Sequence, residues 1–282
     1  MTDIVADVPK PRLVVRPRRA WLPTNGRELW QFRGLLARFA ARDLTLRYRQ
    51  TFLGMIWVVL QPLLGAAVLS FVFGNVAGLK APGGIPYFVF TFAGMTAFNL
   101  YSTLATRAST SLISNAPMIQ KVFFPRLLLP FSTLLSTLVD LGVSVAVLVI
   151  LLVANGIWAG AQILLFPVFL TMMAAGGMGL GLIAAALSVR YRDVQYVLPV
   201  ALQFLLFASP IAYSAGTAPE STQWFFAVNP LTGLLEGVRW SVLGTAAPSA
   251  GALTYSVLAS VAVLFAGLVI FSNLERQFAD VI

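Results

Sequence analysis

RYRQTFLGMIWVVLQPLLG, residues 47–65, sets two arginines ahead of an apolar run and then interrupts that run with Gln61-Pro62. A simple membrane anchor requires neither a buried amide nor a proline. Pro62 lacks the N–H that would bond the Val58 carbonyl, so a helix here is free to bend. Gln61 lies one helical turn beyond Trp57 on the same face, and an amide turned to lipid would stay unsatisfied. The stretch therefore reads as a spanning helix that forms one wall of a pathway.

The rest of the chain agrees with a membrane setting. Of 282 residues, 59% are hydrophobic and 10% charged, with a mean hydropathy of +0.85. Soluble domains carry roughly 25% charged residues. Cysteine and histidine are absent, which removes disulfides, thiol chemistry and the commonest metal and proton-relay ligands. The basic N-terminal stretch runs about fifty residues before the first apolar run, unlike a cleavable signal peptide. The net charge of +9 is not a nucleic-acid patch, because the basic residues alternate with apolar spans along the chain.

Residues 1–27, with four prolines and six Lys/Arg, read as a mobile cytoplasmic tail. Residues 28–49 read as an amphipathic helix lying in the headgroup layer. Leu35, Leu36 and Phe39 are on its apolar arc, and Arg38, Arg42 and Arg49 lie opposite. Asp43 breaks the arc with Arg47 four residues on, a spacing that favours a helical ion pair. Six spans are expected, over residues 53–79, 87–105, 127–154, 162–189, 197–213 and 250–272. With an inside N-terminus, seventeen of the nineteen Lys/Arg fall on the cytoplasmic side, and only Lys80 and Arg239 fall outside. The fold expected is thus an all-α polytopic membrane protein. It adds an N-terminal interface helix, a short helix in the cytoplasmic connection 107–126, and a re-entrant helical hairpin in the external segment 214–249.

In the cytoplasmic connection, Asn115-Ala116-Pro117 offers a polar cap and a proline in the first turn of a short helix, and Phe123-Phe124-Pro125 ends it. Such a helix would display Met118, Lys121 and Phe124 as either a solvated turn or a docking element. In the external segment, Asn229-Pro230 starts a helix to Gly244 of about 20 Å, short of a 30 Å hydrocarbon core. Glu236 and Arg239, three apart, are placed to pair. Backbone of this kind is tolerated in lipid only when buried on protein or lining water.

Chemistry for energy coupling is missing. None of the three lysines, at 10, 80 and 121, stands in a phosphate loop, and no two acidic residues stand two apart. Asp140 is the ionisable residue placed deep in a span, on a stripe with Thr133, Ser136, Thr137 and Ser144. That stripe either bonds neighbouring helices or walls a polar path. Tyr87, Phe98 and Tyr101, with Thr91, Asn99 and Ser102, crowd the second span. They fit packing or, alternatively, sugar stacking. Gly177 and Gly181, with Ala175 and Gly179, mark a face where helix backbones approach closely.

RDLTLRYRQTFLGMIWVVLQPLL (42–64), NAPMIQKVFFPRLLLP (115–130), LSVRYRDVQYVLP (187–199), NPLTGLLEGVRW (229–240) and ERQFADVI (275–282) occur in this order. Together they resemble the permease subunits of ABC-2-type polysaccharide exporters, the O-antigen, capsular polysaccharide and teichoic acid transporters of bacterial envelopes. The resemblance implies a multi-pass protein of the plasma (inner) membrane with both termini cytoplasmic. It implies a homodimer served by two copies of an ATPase subunit, which hold the ATP and Mg while this chain binds no cofactor. The cargo would be a lipid-linked polysaccharide, crossing a channel at the dimer axis.

On that resemblance Ser114–Pro125 is the ATPase-coupling helix, including Ala116 and Pro117. The path would be lined by Trp57, Gln61, Tyr87, Thr91, Phe98, Tyr101 and Asp140. Arg33, Arg38, Arg42, Arg47 and Arg49 would meet lipid headgroups. Trp224, Asn229, Pro230, Glu236, Arg239 and Trp240 would form an external gate. Two other readings are open: a permease for small hydrophobic compounds, and a membrane scaffold for glycan assembly without ATP coupling.

Overall fold

The computed structural model describes residues 30–48, 56–122, 124–217 and 220–275. The expected tail 1–27, Arg49, Phe123 and the closing motif beyond Glu275 lie outside the described residues, as does the side chain of Arg47. Among the described residues there are ten α-helices and no strand. In chain order they are α1 (Arg33–Tyr48), α2 (Ile56–Leu69), α3 (Tyr87–Ser114), α4 (Ala116–Ile119) and α5 (Leu128–Ala154). Then follow α6 (Phe166–Arg190), α7 (Val194–Ala208), α8 (Glu220–Val228), α9 (Thr232–Leu243) and α10 (Ala250–Leu274). Among the described residues, five helical segments are long and apolar enough to cross a membrane: Ile56–Val76, Tyr87–Ser114, Leu128–Ala154, Ala161–Arg190 and Ala250–Leu274. The span expected over 197–213 is instead α7, fifteen residues and about 22 Å long. A non-helical stretch from Ser209 to Ser214 follows it.

α3 is the axis of the bundle. In its most apolar window 78% of residues are buried, against 17% in α5 and α10. It has 28 residues, about 42 Å, and contains no proline. It therefore continues well past Ala105, where the second span was expected to stop. Residues 107–114, assigned in sequence to the connection, are the last turns of this helix. Its hydroxyls are satisfied within the helix, with Thr106, Ser109, Thr110 and Ser111 each bonded to a carbonyl three or four residues back.

Small residues set the spacing around this axis. α6 makes the two most extensive helix pairs, with α3 and α10. A Cβ added at Gly177 would stand 2.5 Å from the Tyr101 carbonyl oxygen, and one at Gly179 would stand 2.5 Å from the Leu264 backbone. The expected close approach is thus two-sided: Gly177 and Gly181 face α3, while Gly179 meets α10. Between lipid-surrounded helices, packing of this kind takes over from the hydrophobic effect.

α2 does not stop at Pro62, which is buried, and helical structure continues as π-helical turns over Ser70–Val76. Val58, Pro62, Ala66 and Leu69 form its buried face, while Trp57 and Gln61 are on the exposed one. α1 lies against the start of α5, with Phe39 and Ala40 buried. Phe32 and Leu46, on the same arc, stay exposed, so only part of the apolar arc is covered by protein.

Replacing Gly177 by alanine should lower the thermal midpoint of the detergent-solubilised protein, a loss of about 1–3 kcal/mol for overpacking. Gly34, in α1, has nothing within 4 Å of an added Cβ. Its alanine variant should gain about 0.5–1 kcal/mol from helix propensity. Equal responses at the two positions would rule out the packing assignment.

Candidate functional site

Two constellations stand at opposite ends of α3. At its C-terminal end the chain turns at Asn115 into α4, four residues with Pro117 in the first turn. The Asn115 side chain does not cap this helix as expected. Its Nδ2 donates back to the Ser111 carbonyl at 2.8 Å, and its Oδ1 accepts from Arg42 Nη2 at 2.6 Å. Arg42 also bonds Asp43 at 2.9 Å. It therefore joins α1 to the turn instead of facing away with Arg33 and Arg38, which are exposed.

Phe124 is buried, its ring edge-on to Phe39 of α1 at 5.5 Å. The expected display of Met118, Lys121 and Phe124 is accordingly corrected. Lys121, with Ser114 and Pro117, is exposed, while Ala116, Met118 and Pro125 are half-buried. An aromatic ring beside a helix of alternating polarity is covered by whatever apolar face is nearest, and here that is α1. Next to this turn, the Arg126 backbone N–H donates to Glu275 Oε1 at 3.2 Å, tying the entry of α5 to the end of α10.

Midway along the bundle, Asp140 is paired with a basic side chain of α3. Arg107 Nη2 bonds its Oδ2 at 2.5 Å, and Arg107 Nη1 donates to Thr137 Oγ1 at 3.0 Å. The pair joins α3 to α5. Two other members of the stripe bond within their own helix, Thr133 to the Pro130 carbonyl and Ser136 to that of Thr133. Thr91, Phe98 and Tyr101 are likewise interior, buried in the protomer core. Arg107 escaped sequence reasoning because the second span was ended too early; the run of Thr and Ser at helical spacing was the available signal.

At the other end of α3, backbone has left the helix inside the protein. Ser209-Pro210 breaks α7, since the residue before proline is pushed away from helical torsion angles. Ser209, Pro210, Ile211 and Ala212 are buried, so their carbonyls need donors. The Ile211 N–H donates to the Ser209 carbonyl at 2.8 Å, and three elements supply donors to this stretch and the carbonyls flanking it. Arg239 Nη1 of α9 donates to the Tyr213 carbonyl at 2.9 Å and to that of Ile211 at 3.5 Å. The Tyr87 hydroxyl of α3 donates to the Ala212 carbonyl. Asn229 Nδ2 donates to the Ala208 carbonyl at 3.1 Å and to Ser209 Oγ at 2.9 Å. Asn229 Oδ1 meanwhile accepts the Leu231 N–H at 3.0 Å, closing the turn past Pro230 that feeds α9.

Glu236 and Arg239 do not pair directly as expected. Glu236 Oε1 accepts the Ala215 N–H at 3.1 Å and the Ser214 hydroxyl at 3.4 Å. The two charges thus clasp successive parts of one segment. Arg239 is 1% exposed, with its guanidinium carbon 4.4 Å from the centre of the Phe90 ring. Burial lowers its pKa to about 10, opposed by the Glu236 carboxylate and the hydroxyls of Tyr87 and Tyr213, so it stays charged at neutral pH.

The other expected gate residues divide. Trp240 packs edge-on to Phe169 of α6 at 6.5 Å, whereas Trp224 of α8 is exposed. α9 itself is enclosed by α3, α6 and α10, with Leu234, Leu235 and Val238 fully buried. It ends where Gly244 takes a left-handed conformation, φ +68°, that closes the last turn.

Among the described residues the helices form a multi-pass membrane architecture, and residues 35–243 match the family model described as ABC-2 type transporter. The chain belongs to that family. It is 30% identical over 256 residues to the O-antigen export system permease protein RfbA of Myxococcus xanthus, covering 90% of this chain and 97% of the relative. A Klebsiella pneumoniae protein of the same name is 26% identical over 88% of this chain and 95% of the relative. The polysialic acid transport protein KpsM of Escherichia coli is 25% identical over 83% and 91%.

Replacing Arg107 or Asp140 singly by leucine should cost about 1–3 kcal/mol, less than a fully buried pair because both side chains are partly exposed. The double variant should recover much of that loss in a double-mutant cycle read by thermal unfolding. Additive losses would contradict the pairing.

Proposed function

We propose that this chain is the transmembrane half of an ATP-driven exporter carrying a lipid-linked polysaccharide to the outer face of a bacterial plasma membrane. The observation that carries the proposal is the near end-to-end similarity to chains named for O-antigen export and polysialic acid transport. The α1 end of the bundle is the cytoplasmic one in this reading, because the basic residues cluster there. α7 and the buried stretch after it complete a sixth crossing, so that both termini are cytoplasmic.

Energy comes from two copies of an ATPase subunit, which bind ATP and Mg, and the α3–α4 turn is their docking element. Its exposed Pro117 and Lys121 offer the contact surface. Arg42 and Phe39 pass any displacement of the turn to α1. Arg33 and Arg38 lie open to lipid headgroups and to the pyrophosphate of the cargo. Two copies of the chain enclose the channel. The faces of α2 and α7 that the protomer leaves uncovered, with Trp57, Gln61, Phe204 and Phe207, support that placement. The second-span aromatics, buried within the protomer, are not assigned to it.

Co-expression with the ATPase subunit tests this directly. Replacing residues 115–125 by a Gly/Ser linker should abolish stimulated ATP hydrolysis and surface glycan. Asn115→Ala should leave the complex assembled but reduce export per ATP hydrolysed by at least about fivefold, the lower range of coupling energies between sites. Normal glycan export by the linker variant would discard ATP coupling and favour the scaffold reading.

A further inference from the structure

Beside the clasp lies a cavity of about 380 Å³, within the range of small-ligand sites. Its deep wall holds Arg239, Thr232, Glu236 and Phe90, and its rim includes the small, exposed Ala246 and Ala247. Two polar atoms on that wall are buried without a hydrogen-bond partner in the protein: Arg239 Nη2 and Thr232 Oγ1. Their residues are 1% and 4% exposed. An orphaned buried donor costs about 1–3 kcal/mol, a cost that a ligand hydrogen bond to either atom would offset. Glu236 uses only Oε1 in its bonds to Ser214 and Ala215, leaving Oε2 as an acceptor in the same wall.

We infer that this cavity is a subsite for one neutral sugar ring. Guanidinium N–H groups, a hydroxyl and a carboxylate oxygen lie together with zero net charge, which suits adjacent hydroxyls that both donate and accept. A phosphate or sugar acid would meet Arg239 but also the Glu236 carboxylate, so the charge balance selects against it. The Phe226 ring, also on the lining, offers a face for the C–H side of the ring. The rim of alanines and Gly216 admits a bulky polyol without displacing any large side chain. That the sugar belongs to a chain leaving the transporter rests on the export reading above; the site itself does not.

The test uses the full-length protein in nanodiscs without ATPase, titrated with methyl glucoside, methyl galactoside and methyl mannoside, with methyl glucuronide and inorganic phosphate as anionic probes. Saturation-transfer NMR reads the binding. At least one neutral glycoside should bind, about tenfold weaker to Thr232→Val, which removes an orphaned hydroxyl without loss of volume. Ala247→Trp, at the exposed rim, should abolish binding while the protein keeps its thermal midpoint. Absence of neutral-glycoside binding to the unaltered chain, or unchanged binding by Ala247→Trp, would overturn the site. Tighter binding of glucuronide or phosphate would overturn the neutral-sugar assignment. Glycoside binding with failed ATP coupling would reject only the export reading, so the two failures are separable.

Discussion

The bundle is organised around one requirement: carbonyls released where α7 ends at Ser209 must be bonded again in a buried setting. The stretch from Ser209 to Ala212 is buried, and each unmet group would cost free energy comparable to a lost hydrogen bond. Asn229, Arg239 and Tyr87 meet the requirement from three different elements. Much of the surrounding architecture follows. α9 has to be short and enclosed, because its guanidinium must reach the unwound stretch while its Leu and Val side chains fill the space between α3, α6 and α10. Gly237 lets it do so, since a Cβ there would meet the Phe169 ring at 2.9 Å. The buried charge is held by carbonyl dipoles, by the Phe90 ring and by Glu236 nearby, not by a salt bridge.

The opposite end of α3 is built on the same principle with different parts. A helix that ends at Ser114 has carbonyls to satisfy, and Asn115 takes one of them while offering its own oxygen to Arg42. That single side chain therefore belongs to the helix end and to the interface helix at once. Phe124 on Phe39 adds an apolar contact beside it. The turn, α1 and the entry to α5 consequently form one packed unit, although nearly eighty residues separate their ends.

Much of the fold was legible because membrane spans announce themselves by composition and length alone. The spans containing α2, α3, α5, α6 and α10 were all placed from apolar runs, and the close-packed face of α6 from its glycines. What failed shares a cause. Periodicity tells which side of a helix is apolar and says nothing of what covers it. Phe124 was expected outside and is inside; Phe98 and Tyr101, which by spacing fitted either packing or a path, are in the protomer core. Partners distant in sequence were equally unreadable: Asp140 meets Arg107, and Glu236 and Arg239 turn from each other to a segment over twenty residues back. Local spacing proposed i,i+3 pairing, and the stronger demand of unpaired backbone overrode it.

α3 carries no proline and joins these two ends without interruption. A stiff rod of about 42 Å behaves as a lever. Turned by about 10° around its middle, it moves each end by roughly 3–4 Å in opposite directions, enough to break a hydrogen bond. The Arg42–Asn115 bond and the bond from the Tyr87 hydroxyl to the Ala212 carbonyl sit at those ends. Neither can be displaced by tilting this helix without putting the other under load.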